Sequence, residues 1–146
     1  MRYGENPHQK ACFYKEKNPP EGSISNARKK QGKDLSFNNI SDSDVAWACV
    51  SSLVKPACVI VKHGNPCGVA QSSDLVSSYR MAYSTDPSSA FGGIISFNRR
   101  VNEDLAKVLL GQQFLEVLLA PACSEEALDV LATNKADLLC GIVNFV

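Results

Sequence analysis

Cys58-Val59-Ile60-Val61-Lys62-His63-Gly64-Asn65-Pro66-Cys67-Gly68 changes character halfway along. The apolar run Cys58 to Val61, bounded by Pro56 and a turn, reads as a short strand buried on both faces. It runs straight into Lys62-His63 and then into Gly, Asn and Pro. In an open parallel sheet, ligands sit just beyond the carboxyl ends of the strands. An ammonium and an imidazole would then arrive together where small molecules bind. Taken alone, the pair is as easily a solvated Lys-His at a loop entrance.

A helix-then-strand rhythm extends from this strand in both directions. Before it, Ser41-Asp42-Ser43-Asp44 reads as a helix start, with Ser41 as N-cap and Asp44 in the capping-box position. Val45, Ala48, Cys49 and Leu53 follow at helical spacing, with Trp47 expected in the core, and Pro56 stops the helix. After it, Ser73-Asp74 opens a second helix with Leu75, Val76, Tyr79 and Tyr83 on one face, broken at Asp86-Pro87. Gly93 to Phe97 reads as a strand, Asn102 caps a third helix, residues 114–119 form the next strand, and Ser124 caps a fourth helix. Residues 138–146 are a last apolar segment, and Ala11-Cys12-Phe13-Tyr14 is a possible short strand near the start. Helices alternating with short apolar strands predict a single α/β domain with a mostly parallel sheet.

Bulk properties bound the function. A chain of 146 residues supports one ordinary domain, and 15 basic residues balance 15 acidic ones. The balance gives no field for nucleic acid, and no apolar run approaches membrane-spanning length, so neither is expected as a partner. Residues 1–34 carry eight Lys and Arg against four Asp and Glu, which suits one phosphate rather than a nucleic-acid backbone. The six cysteines form no C-x-x-C and no metal-ligand cluster with His8 and His63, so no metal is expected and a reducing cytoplasm is.

Three further features carry chemistry. Arg2 and Tyr3, a permanent cationic fork beside a phenol, are apt for gripping phosphate, although a terminal position equally suits a frayed end. Ser88-Ser89-Ala90-Phe91-Gly92-Gly93 leads into a strand and either lets a backbone approach a ligand or makes a tight turn. Glu116 is a lone charge in an apolar strand, to be paired or functional if buried, or exposed on an edge.

Arg2-Tyr3-Gly4-Glu5-Asn6-Pro7-His8-Gln9, Lys62 to Gly68, and Asp86-Pro87-Ser88-Ser89-Ala90-Phe91-Gly92-Gly93 occur in this order. Together they closely resemble the transformylase part of the bifunctional purine biosynthesis family, whose members join an AICAR formyltransferase to an inosine-monophosphate cyclohydrolase. The likeness extends to about residue 133. It implies a three-layer α/β/α, cytidine-deaminase-like fold, with residues 1–146 as the first transformylase subdomain. The cyclohydrolase domain and the second transformylase subdomain are then missing, and the chain is expected to be a fragment.

The resemblance implies transfer of a formyl group from the co-substrate 10-formyltetrahydrofolate to the 5-amino group of the AICAR nucleotide. It implies His63 as the proton shuttle and Lys62 as the group that steadies charge on the formyl oxygen or leaving group. Arg2 and Tyr3 would lie near the phosphate, with Asn39, Gly92 and Glu116 around ribose and base; the neighbouring Asn38 leaves that register open by one. A homodimer is implied for the full-length enzyme. The alternatives are a folded remnant without formyl transfer and a zinc deaminase. The latter chemistry wants H-x-E and P-C-x-x-C, whereas Asn65 and Ala70 stand at the critical positions here.

Overall fold

Side chains of the strand Ala57–Lys62 alternate between two cores, as the pleat requires. In this computed structural model, which describes residues 1–114, 116–133 and 137–140, Ala57, Val59 and Val61 enter one cluster and Cys58 and Ile60 the other. The strands are β1 (Arg28–Gln31), β2 (Ala57–Lys62), β3 (Asn65–Gln71), β4 (Ile94–Phe97), β5 (Val117–Ala120) and β6 (Asp137–Cys140). The helices are α1 (Phe37–Ser51), α2 (Leu75–Thr85), the single turn α3 (Pro87–Ala90), α4 (Glu103–Gln112) and α5 (Glu125–Ala132). α1 covers one face of the sheet with Ala46, Trp47 and Val50. α2, α4 and α5 cover the other with Tyr79, Ala82, Leu105, Leu109 and Leu131, giving three layers.

The sheet is mixed rather than mostly parallel, in the order β1-β6-β5-β4-β2-β3. β4, β5 and β6 are parallel, whereas β1 on β6, β3 on β2, and β2 on β4 are antiparallel. The cause of the β2–β3 reversal is local. His63 (φ 54) and Gly64 (φ 74) are both left-handed, as in a two-residue type I′ turn, which folds β3 back onto β2. β3 is illegible as a strand because it contains Pro66 and Gly68, and it tolerates the proline because it is the sheet's edge. Gly68 is required there, since a Cβ would collide with the backbone carbonyl of Ala82 on α2.

Three boundaries differ from expectation. α1 begins at Phe37, four residues before Ser41, because Ser36 and Asn39 make a reciprocal capping box. Ser41 to Asp44 therefore lie inside the helix. Residues 11–14 pair with no strand among the described residues. β5 starts at Val117, so Glu116 stands just ahead of it, and Leu115 of the expected strand lies outside the described residues, as do residues 141–146. Asp74, Asn102 and Ser124 cap their helices as the sequence indicates.

Reversal of β2 moves the interesting edge. Val61 pairs with Ile94, Ile94 with Val117, and Val117 with Asp137. The end of β2 that carries Lys62 thus lies at the amino ends of β4, β5 and β6, not at the carboxyl ends of a parallel set. The first turns of α1 reach the same edge through Asn39 and Asp42.

Candidate active site

The amino-terminal segment is docked rather than frayed. Arg2 N–H donates to the Leu35 carbonyl at 2.9 Å, and Phe37 N–H donates to the Tyr3 carbonyl at 3.1 Å. The segment is thereby held alongside the start of α1. Arg2 Nη2 donates to Asn39 Oδ1 at 3.3 Å and lies 3.8 Å from Glu116 Oε1. Asn39 Nδ2 donates to the same Glu116 oxygen at 2.9 Å. The Arg2 guanidinium also sits 4.8 Å from the centre of the Tyr3 ring, with Nη2 donating to Tyr3 Oη at 3.2 Å.

Asn39 is only 3% exposed, and its Oδ1 additionally accepts from Ser36 N–H and Oγ. Its side chain is therefore fixed by the helix cap itself. Asn38 points elsewhere, donating from Nδ2 to the Glu5 carbonyl at 3.1 Å. Of the two neighbours, Asn39 is therefore the one in contact with Arg2 and Glu116. The side chains of Arg2 and Glu116 remain 31% and 42% exposed. A pair this open contributes about 0–1 kcal/mol to stability, so its value lies in presenting a cation, an amide and a carboxylate together.

Lys62, His63 and Gly92 form a second group. Lys62 Nζ donates to the Phe91 carbonyl at 2.6 Å, and Gly92 N–H donates to the Phe114 carbonyl at 2.9 Å. Gly92 has φ +68, and the exposed Phe91 and Phe114 rings beside it lie 6.1 Å apart. His63 is exposed at the β2–β3 turn. Among the described residues no hydrogen bond links Lys62 or His63 directly to the Arg2 group. The two groups share supports instead: Glu116 N–H donates to the Gly93 carbonyl at 3.3 Å, and α1 contacts both.

Two carboxylates at this edge escaped the sequence reading. Asp42, absorbed there into a supposed helix start, accepts from the N–H groups of His63 at 3.1 Å and Gly64 at 2.7 Å. Its signal was its position three residues after Asn39, on the same side of a helix. Asp137 is 4% exposed and accepts from Lys33 N–H at 2.6 Å, while its own N–H donates to the Glu116 carbonyl. Burial pushes its carboxyl above the ordinary range, against the pull of Lys33 N–H and of the Arg2 and Lys29 charges. It fits because Gly32 (φ +95) has no Cβ to meet it.

Among the described residues no three His, Cys, Asp or Glu side chains gather as a metal site, and no helix is long and apolar enough to cross a membrane. Burial also pushes the Cys67 thiol up, the opposite of what a metal thiolate or a nucleophile needs.

The edge thus groups polar side chains of the kinds that hold a phosphorylated, hydroxylated small molecule beside an ammonium and an imidazole. The chain belongs to the AICARFT/IMPCHase bienzyme family, whose profile matches residues 1–142. It is 55% identical over 135 residues to the bifunctional purine biosynthesis protein PurH of Neisseria gonorrhoeae (strain NCCP11945), and equally to that of Neisseria meningitidis serogroup A (strain Z2491). Those matches cover 92% of this chain and 26% of each relative, so the chain spans about a quarter of their length. Among solved structures, RibD of Acinetobacter baumannii superposes with a TM-score of 0.48 at 15% identity, covering 60% of this chain and 28% of that one.

Proposed function

We propose that residues 1–146 are the nucleotide-binding first subdomain of an AICAR formyltransferase acting in purine biosynthesis, with a cytidine-deaminase-like form of the three-layer fold. The observation that carries the reading is the convergence of Arg2, Asn39 and Glu116, which are far apart in sequence, on one oxygen-rich point. Arg2, with Tyr3 beside it, suits a phosphate by fork geometry and permanent charge. Glu116 suits a pair of ribose hydroxyls as acceptor, and Asn39 offers an amide already oriented by the cap. Gly92 gives backbone access near the base.

In the reaction, the AICAR 5-amino nitrogen forms a bond to the formyl carbon of 10-formyltetrahydrofolate, and the bond from that carbon to the folate nitrogen breaks. The amine is a weak nucleophile because its lone pair is delocalised toward the carboxamide. A base must therefore take its proton, and charge on the formyl oxygen must be stabilised. His63 takes the proton and returns it to the departing folate nitrogen. Lys62 supplies the positive charge. Residues outside this segment complete the folate site, and the full-length enzyme is a homodimer that works in the cytoplasm.

The test is formyl transfer in a full-length enzyme carrying this segment. His63→Ala lowers kcat by about a hundredfold or more, within the range for losing a general base. The cyclohydrolase activity of the same preparation stays unchanged as the folding control. Full formyl transfer by His63→Ala would overturn the assignment.

A further inference from the structure

His63 is the only non-glycine residue among the described residues in the left-handed region, at φ 54. Histidine visits that region more readily than most residues but still at a cost, so something must hold it there. A type I′ turn favours Asn-Gly or Asp-Gly, and His-Gly is a weaker instruction. The two N–H groups at the tip both turn outward to a single acceptor on another element. His63 N–H meets Asp42 Oδ2, and Gly64 N–H meets Asp42 Oδ1. One carboxylate therefore satisfies two successive backbone donors, and it does so from α1, one turn beyond Asn39.

We propose that Asp42 is a positioning residue that clamps the Lys62–His63–Gly64 tip to α1. The helix that orients Asn39 toward Glu116 then also sets the height of the proton-accepting histidine. This rests on the reading of His63 as that acceptor. The clamp requires a carboxylate: an asparagine keeps one acceptor but turns an NH2 group toward the other N–H, and an alanine leaves both donors without it.

The experiment has two readouts. In the 146-residue chain, Asp42→Ala shifts the His63 and Gly64 amide resonances and speeds their hydrogen exchange, while the Asn39 and Glu116 signals stay in place. In the full-length enzyme, Asp42→Ala lowers kcat up to about a hundredfold, the scale of a small misplacement of a reacting group. Asp42→Asn falls between it and the parent, and the dissociation constant for AICAR stays within about twofold in both. Unchanged kcat with a loosened tip would overturn the proposal. So would equal losses of affinity and kcat, which mark a general structural role. If Asp42→Ala does not fold, Asp42→Asn decides on the same two readouts. Full activity of His63→Ala would instead overturn the proposed function, leaving the amide readout to judge the clamp itself.

Discussion

At the scale of the residue, Asp137 is the group whose environment works against its charge. It is nearly enclosed, and desolvation outweighs the Lys33 N–H and the cations around it, so its folded pKa is raised. A raised carboxyl favours the protonated form in the fold. Its contribution is complete below the ordinary aspartate pKa and is lost as pH rises through the folded value. Asp137→Asn removes that loss while keeping an acceptor for Lys33 N–H. In urea unfolding, the variant gains on the parent over the pH interval that opens at about 3.9, the ordinary aspartate pKa, and runs up through the raised folded value. Parallel stabilities across that interval would contradict the account. Asp137 was invisible beforehand because its burial arises from β1 and β6 pairing, and β1 (Arg-Lys-Lys-Gln) carries no apolar pattern at all. Arg2 and Tyr3 stand in one of the ordered motifs, whereas Asn39 and Glu116 lie outside all three and were candidates only by their places ahead of a helix and at a strand. Their mutual contacts could not be read from the sequence, since those depend on how α1 and β5 meet.

Elements that follow simple local rules were legible. Asp74, Asn102 and Ser124 accept from the third residue of their helices as capping residues should. α1 was mistaken at its start because its box uses Asn39 in place of the usual Glu or Gln, while Ser41 and Asp44 imitate a cap inside the helix. The same box orients the Asn39 amide toward Glu116, so helix stability and site geometry are coupled. Ser36→Ala costs about 1 kcal/mol, the usual size of a lost cap, in the midpoint of chemical unfolding. It also weakens AICAR binding by releasing Asn39 Oδ1. A loss of stability with undiminished affinity would show that the cap and the site are independent. β3 was missed for the opposite reason: edge position, not composition, licenses Pro66 and Gly68 in a strand.

For the whole molecule, two buried clusters on opposite faces of one sheet explain why the layers were foreseeable and the strand directions were not. Alternating apolar helices and strands imply layers, but the sense of β2 depends on a two-residue turn built from His63 and Gly64. That turn carries a candidate catalytic residue and reverses the sheet, which places Lys62 beside the amino ends of β4, β5 and β6. The central claim is that this edge already forms a nucleotide half-site within the chain. A calorimetric titration of the folded chain with AICAR, run at two temperatures, tests it most directly. The account predicts a one-site isotherm that Glu116→Gln weakens about tenfold, the scale of one charge-assisted hydrogen bond. An absence of binding by a chain shown to be folded, or binding indifferent to that substitution, would contradict it.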